Sequence, residues 1–225
     1  EQEAVINKTI VLKPEGNLPV QQDIPQQTSP AEVGSRYLWC LNRISQDYYS
    51  PTFDDGRTRL DGQEIITDLL NRIKAGLEQN NISYFEVNPI GKRPTEGEQV
   101  QRISAQPGNK LVLTFSFGFT GSASNPVWTT QDKGGISARI NSNQRSARLA
   151  AIFMEAVMRQ TTLRNANLTT APESPSPLLN GLEVPVAVFQ NGYLTNRENA
   201  TLLVQPAFRQ QLANAYLSAI YAIEN

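Results

Sequence analysis

The run Val184–Asn196 (VPVAVFQNGYLTN) decides the fold that the sequence predicts. Its first part, Val184–Phe189, is apolar and rich in valine, which is typical of a strand buried in a sheet. Pro206 follows ten residues later and suits the first turn of a helix, since its missing N–H is not needed there. The apolar residues after it predict that this last helix packs against the core: Phe208, Leu212, Ala215, Tyr216, Ala219 and Ile223.

Upstream segments add further strands and helices to this strand–helix unit. Leu111–Phe117 (LVLTFSF) is the clearest candidate for a central strand, and Thr9–Leu12 and Ser83–Val87 are two more. Asp61 is predicted to cap a helix that carries an apolar stripe from Ile65 to Leu77. Apolar residues at helical spacing also predict helices over Ser35–Asp47 and Gln144–Gln160, whereas the Gly-, Ser- and Asn-rich segment Gly118–Ser142 is predicted to be irregular.

The alternation of strands and amphipathic helices defines the fold class. It predicts an α/β protein: a three-layer α/β/α domain with a central, mostly parallel mixed sheet and helices on both faces. The 225 residues suffice for one sizeable domain, and no boundary divides them. We therefore expect a single domain over residues 1–225, with insertions at about 17–60 and 118–143.

Composition limits the chemistry more than the fold. The chain contains no histidine, which removes Ser-His-Asp and Cys-His catalysis and the commonest ligand of zinc. Its single cysteine, Cys40, cannot form an internal disulfide. The net charge of −1 argues against a nucleic-acid partner. No run approaches the roughly 18 apolar residues of a membrane span.

The C-terminal third resembles the N-acetylmuramoyl-L-alanine amidase family. In that family a strand of the type P-A-x-L-V-E meets G-F-[IL]-[ST]-N and a helix follows, as in Val184–Asn196 and the helix at Pro206. Thr9–Gly16 (TIVLKPEG) is similar to the family's first strand and its D-P-G-H-G turn. Gly62–Asn81 is similar to its first helix, and Lys110–Phe117 to the strand that ends in S-I-H-x-N.

The resemblance implies a site from which most zinc ligands are absent. Family members cleave the bond between muramic acid and L-alanine with one zinc, held by two His and a Glu, and a second Glu handles the proton. The two His positions align with Gly16 and Ser116, the catalytic Glu aligns with Gln190, and the zinc Glu falls at Asp61 or Glu64. Because at most one zinc ligand remains, we expect no zinc or other cofactor, no catalytic residues, and a pseudoenzyme.

Three functional hypotheses remain open on these residues. The first is a binding or assembly module of the bacterial cell envelope, outside the cytoplasmic membrane, whose ligand groove includes Ser116, Gln190 and Asn191; its partner is peptidoglycan or an envelope protein. The second is a purely structural subunit of an envelope complex. The third is a hydrolase that acts on peptidoglycan through carboxylates. Its acidic residues are Asp54, Asp55, Asp61 and Glu64, although the first two favour a turn and Asp61 a helix cap.

Overall fold

The structure is a computed structural model that describes residues 34–44, 47–130, 133–170 and 176–225. The predicted strand Thr9–Leu12 and the candidate site residue Gly16 lie outside these residues. The single domain predicted over residues 1–225 therefore stays a prediction for the chain as a whole, and the structure describes its larger, C-terminal part.

A six-stranded sheet forms the centre of the molecule. Its order is β2-β1-β3-β8-β6-β7, and β2, β1, β3 and β8 run parallel. β6 lies antiparallel to β8 and parallel to β7, so the sheet is mixed but mostly parallel. A short hairpin, β4 and β5, stands apart from it. The strands are β1 (Leu38–Arg43), β2 (Tyr84–Glu86), β3 (Lys110–Gly118), β4 (Gly121–Ser122), β5 (Asn125–Pro126), β6 (Ile136–Ile140), β7 (Asn165–Thr170) and β8 (Val186–Tyr193).

Helices cover both faces of this sheet. Three long helices pack on one face around a large apolar cluster that includes Phe115, Phe153 and Tyr216. Two shorter helices pack on the other face around a smaller cluster that includes Cys40 and Val112. In chain order the helices are α1 (Gly62–Gln79), α2 (Glu96–Ser104), α3 (Ser146–Gln160), α4 (Pro177–Asn180), α5 (Arg197–Leu203) and α6 (Pro206–Glu224). Of these, α1, α3 and α6 form the first layer, and α2 and α4 form the second. The predicted three-layer α/β/α class is confirmed.

The central strand β3 shows why the sheet needs both layers. Successive side chains of a strand point to opposite faces. Leu111, Leu113 and Phe115 therefore enter the large cluster, while Val112 enters the small one. Because both faces are covered, the strand appears in the sequence as a continuous apolar run rather than an alternating one.

The helix predicted over Ser35–Asp47 is wrong, because Leu38–Arg43 forms the strand β1. β1 lies between β2 and β3, and its side chains are buried on both faces: Trp39 and Leu41 on one, Cys40 on the other. A strand buried on both faces is apolar at every position, so it also contains the i, i+3 and i+4 pairs of a helix. β1 lies within the segment predicted as an insertion, 17–60.

The irregular structure predicted for residues 118–142 is also incorrect at its end. Ile136–Ile140 forms β6, which pairs with β8 and β7 in the main sheet. Ile136, Ala138 and Ile140 are buried while Arg139 is exposed, a period-2 pattern that the flanking glycines obscured. The short helix α2 was not predicted either. Its start is a capping box in which Thr95 and Glu98 bond each other's backbone N–H groups.

No helix among the described residues is long and apolar enough to cross a membrane.

Candidate functional site at the carboxyl edge of the sheet

The carboxyl ends of β1, β3 and β8 meet at one edge of the sheet. Ile44, just after β1, donates its backbone N–H to Phe115 of β3 (3.0 Å), and Leu194, just after β8, donates to Gly118 (2.9 Å). In open α/β sheets the crevice outside the carboxyl ends of parallel strands is the usual place for a ligand. This edge is therefore the candidate functional site.

Ser116 and Gln190 lie side by side at this edge. They are paired in the register of β3 and β8, so both side chains point to the face that carries α2 and α4. Ser116 is buried, and its Oγ donates a hydrogen bond to the Phe189 carbonyl oxygen (2.9 Å). Gln190 is half-buried and is also paired in register with Ser137 of β6. Ser116 and Gln190, which the sequence assigned to one candidate groove, are therefore neighbours in the sheet.

Asn191 faces the opposite side of the sheet and is completely buried. Its Oδ1 accepts a hydrogen bond from the Tyr216 hydroxyl of α6 (2.6 Å). Burial raises the pKa of Tyr216 well above its ordinary value, which keeps the hydroxyl protonated as a donor. The prediction that Asn191 lines an open groove is wrong, because consecutive strand residues point to opposite faces.

Asp61 and Glu64 lie at the start of α1. Asp61 is the N-cap, and its Oδ1 accepts from the backbone N–H groups of Gln63 (2.8 Å) and Glu64 (3.3 Å). The Glu64 side chain is exposed to solvent. Asp61 therefore has the structural role that its position before the apolar stripe predicted.

Asp54 and Asp55 belong to a turn rather than to a pair of catalytic carboxylates. Asp55 Oδ1 accepts from the backbone N–H groups of Arg57 (2.9 Å) and Thr58 (2.8 Å). The hydrogen bond from the Thr58 hydroxyl, helped by these two backbone bonds, lowers the pKa of Asp55. The side chain of Asp54 is 87% exposed and forms an ion pair with Arg197 (2.7 Å). The turn interpretation of this acidic segment is confirmed.

The segment after Gln190 is bent and fixed by hydrogen bonds. Gly192 has a φ of +88°, a left-handed conformation that favours glycine. Asn199 holds this bend, because its Oδ1 accepts from the backbone N–H groups of Tyr193 (3.1 Å) and Gly135 (2.9 Å). Asn196 caps α5 by accepting from the N–H of Asn199 (2.9 Å). The run Gly192–Asn196 is thus a strand-to-helix turn that Asn196 and Asn199 hold through backbone N–H groups.

Buried polar atoms concentrate at the same edge. Asn42 and Arg43 end β1, and Asn88 and Thr195 follow β2 and β8. Each is buried and has one side-chain atom without a hydrogen-bond partner among the described residues: Asn42 Oδ1, Arg43 Nη1, Asn88 Oδ1 and Thr195 Oγ1. Such atoms are costly in a core and concentrate at functional sites. Sequence reasoning missed all four, because only the fold brings them to one edge.

The described residues at this edge do not fit a catalytic zinc. Such a zinc needs three protein ligands from the set His, Cys, Asp and Glu, and a bound water. In the part of the chain that the structure describes, no three such side chains come together. Ser116 Oγ is already a donor to a carbonyl oxygen, and Asp61 Oδ1 is occupied by two N–H groups.

The sheet order and the helices on both faces define an α/β protein, and comparison with known proteins shows its family. A family profile described as N-acetylmuramoyl-L-alanine amidase matches residues 56–222. Since that range is most of the chain, the chain belongs to the N-acetylmuramoyl-L-alanine amidase family. No curated protein sequence matches the chain significantly.

Several solved structures share the fold at low sequence identity. The amidase AmiC2 of Nostoc punctiforme is 16% identical, with a TM-score of 0.66 over 84% of this chain and 98% of that one. The catalytic domain of the amidase CwlV from Bacillus (Paenibacillus) polymyxa var. colistinus is 11% identical, with a TM-score of 0.63 over 84% and 99%. The CwlD amidase of Clostridioides difficile, in complex with the GerS lipoprotein, is 14% identical, with a TM-score of 0.61 over 84% and 100%.

Family membership contradicts the prediction that the chain is not an enzyme. The matching family and the similar structures are named as amidases, so the expectation of a pseudoenzyme is withdrawn. That expectation rested on aligned positions, of which Gly16 lies outside the described residues. Among the described residues the first strand of the sheet is β1, which lies in the segment predicted as an insertion, 17–60. The absence of histidine removes one kind of metal ligand and one kind of general base. It does not remove catalysis by the carboxylates of Asp and Glu.

Proposed function

We propose that the chain acts at the bacterial cell wall, outside the cytoplasmic membrane, and binds peptidoglycan at the carboxyl edge of β1, β3 and β8. Membership of the amidase family is the observation that carries this proposal. The half-buried Gln190 and the four buried polar atoms without partners support this edge as the binding surface.

The chemistry of the edge suits a neutral polar ligand. Gln190 and Ser137 present an amide and a hydroxyl on the face that carries α2 and α4, and both side chains are partly exposed. These groups donate and accept hydrogen bonds without charge. Sugar hydroxyls and peptide amides offer the matching acceptors and donors, and both occur along the glycan strands and stem peptides of peptidoglycan.

A sacculus pull-down tests the proposal directly. Purified chain is incubated with intact sacculi, the bound fraction is measured against protein concentration, and released stem peptide is measured in the same samples. We expect saturable binding. Gln190→Ala should weaken it by roughly fivefold, the effect of one neutral hydrogen bond.

Gln144→Ala is the matched control, because it removes the same amide at an exposed position near the start of α3. We expect this variant to bind like the parent chain. Absence of saturable binding by the parent chain would refute peptidoglycan as the ligand. Equal binding by the Gln190→Ala variant would place the ligand elsewhere on the chain. Release of stem peptide would add hydrolysis to the binding role.

A protein partner is the second candidate, since CwlD of Clostridioides difficile was solved in complex with the GerS lipoprotein. The aromatic residues outside the main core give this candidate little support. Tyr48 stacks on Phe119 (4.6 Å between ring centroids), and Phe53 meets Trp128 edge to face (5.3 Å). These rings therefore pack on each other within the domain. Cross-linking and purification from envelope extracts would test this candidate, and recovery of sacculi without a stoichiometric protein partner would exclude it.

A further inference from the structure

A cavity of about 400 Å³ lies at the amino edge of the sheet. Its wall includes Arg36 and Tyr37, which precede β1, and Leu111 at the start of β3. The start of α3 and the end of α6 complete it. Leu111 and Ser116 are five residues apart on β3, which corresponds to about 16 Å along a strand. The cavity is therefore separate from the proposed peptidoglycan site, and an inference about it does not depend on that proposal.

Three arginines line this cavity: Arg36, Arg145 and Arg148. All three are exposed, and no acidic residue from the described ranges of the chain lines the cavity with them. None of them takes part in an ion pair within the part of the chain that the structure describes.

Glu224 is the nearby carboxylate that contacts the same segment, and its oxygens are taken by neutral groups. Oε1 accepts from Ser35 Oγ (2.9 Å) and Trp39 Nε1 (2.7 Å), and Oε2 accepts from the backbone N–H of Arg36 (2.6 Å). The guanidinium of Arg36 instead donates to the Glu224 carbonyl oxygen (3.3 Å). Among the described residues, one carboxylate lies beside three guanidinium groups, and their summed charge is about +2.

Tyr37 holds two of the guanidinium groups in place. The Arg36 and Arg145 Cζ atoms lie 5.9 Å and 5.4 Å from the centroid of its ring. Arg145 Nη2 also donates a hydrogen bond to the Tyr37 hydroxyl (3.1 Å). Contacts with an aromatic face orient a guanidinium group but leave its positive charge in place. The cavity therefore keeps two oriented cations available for an anion.

The start of α3 adds to the positive potential. Helix N-termini carry a partial positive charge and usually have acidic residues in the first turn. The first turn of α3 has no acidic residue and includes Arg148. Its N-cap, Arg145, makes no side-chain capping bond. An anion in the cavity would be attracted by the helix terminus and by the arginines together.

The rest of the cavity wall is apolar. Ile152 and Ile223 are half-buried and present apolar surface beside the arginines, whereas Leu111 and Leu149 line the cavity but are almost completely buried. An inorganic ion would leave the isoleucine surface exposed to water, whereas an organic anion would cover it. We propose that the cavity binds an organic phosphate, with the phosphate group on the three arginines and an apolar body on the two isoleucine side chains. Arginine suits this role because its planar group bonds phosphate oxygens in pairs.

Isothermal titration with phenyl phosphate tests the site, with phenol and inorganic phosphate as partial ligands. We expect saturable binding of phenyl phosphate, weaker binding of inorganic phosphate, and none of phenol. The double variant Arg145→Gln/Arg148→Gln should lose at least about tenfold in affinity, as expected when charged hydrogen bonds are removed. Higher salt should weaken binding to the parent chain.

Arg57→Gln is the control, because it removes one exposed arginine from a turn elsewhere. Circular dichroism of each variant verifies that the fold is kept.

Vesicles with phosphatidic acid distinguish the source of the phosphate group. Arginine-dependent binding to these vesicles would identify the ligand as a lipid, and binding of phenyl phosphate without vesicle binding would identify it as a soluble ester. Absence of binding to both probes, or equal binding by the double variant and the parent chain, would overturn the proposal.

Discussion

Neighbouring residues at the end of β8 have opposite surroundings, and this decides what each can do. Gln190 is half-buried on the face that carries α2 and α4, beside Ser116 and Ser137. Asn191 is completely buried on the other face, where it meets Tyr216. A ligand at the carboxyl edge can reach the first residue and not the second. The second instead links the end of β8 to α6.

The bond between Tyr216 and Asn191 should be important for stability. Tyr216→Phe removes the donor and leaves the Asn191 Oδ1 atom buried without its hydrogen bond, so we expect the free energy of unfolding to fall by about 1–3 kcal/mol. Urea denaturation measures the change. Tyr193→Phe is the control, because Tyr193 is only half-buried, and it should change stability by less than about 0.5 kcal/mol. Equal stability of the Tyr216→Phe variant and the parent chain would contradict the role given to this bond.

At the scale of elements, helix ends are defined by local bonds that the sequence already indicates. Asp61 starts α1, Thr95 and Glu98 start α2, and Asn196 starts α5. α1 and α6 then join across the first layer through Asp68, which bonds Arg72 of its own helix (3.0 Å) and Arg209 of α6. Side chains at helix starts are therefore mostly structural in this protein, including one that was a candidate zinc ligand.

Substitutions of Asp61 can distinguish its role as a helix cap from a role as a metal ligand or catalytic carboxylate. Asp61→Ala removes the acceptor of two N–H groups, so we expect a loss of about 0.5–2 kcal/mol in the free energy of unfolding. Asp61→Asn keeps an oxygen in the same place and should cost only a few tenths of a kcal/mol. Thermal unfolding of both variants measures this difference. If Asp61 were needed for its charge, as a metal ligand or catalytic carboxylate is, the Asn variant would lose sacculus binding or hydrolysis as fully as the Ala variant.

At the scale of the whole molecule, two apolar clusters enclose the sheet, and Cys40 lies in the smaller one. It is completely buried. Burial raises the pKa of the Cys40 thiol to about 12, an effect that the Lys110 ammonium group opposes only in part. The thiolate is the reactive form, so the thiol is protected both by its pKa and by its position.

The single thiol should therefore report on global unfolding. At pH 8 we expect Cys40 to react with Ellman's reagent very slowly in the folded chain, because a rise from about 9 to about 12 in pKa lowers the thiolate fraction about 1000-fold. In denaturant one thiol per chain should react at once. The reaction rate should rise with urea in parallel with unfolding measured by circular dichroism. Rapid and complete reaction in native buffer would show that the β1–α2 layer opens without unfolding of the chain.

The sequence by itself determined the class of the fold and its strongest elements. The continuous apolar run Leu111–Phe117 and the helical periodicity of the α1 stripe are both local properties of the sequence. The cap of α1 and the turn at Asp55 follow from side chains that bond nearby backbone groups. It also assigned Ser116 and Gln190 to one candidate groove, and the register of β3 and β8 makes them neighbours.

Only the tertiary structure decided that Leu38–Arg43 is a strand, because burial on both faces of the sheet removes the alternation that distinguishes a strand from a helix. It also decided that Asn191 is internal and that Asn42, Arg43, Asn88 and Thr195 share one edge. Arg36 is likewise far in the chain from Arg145 and Arg148, which are neighbours at the start of α3, and it meets them only when β1 and α3 pack. Contacts between distant segments depend on packing, and no local pattern contains them.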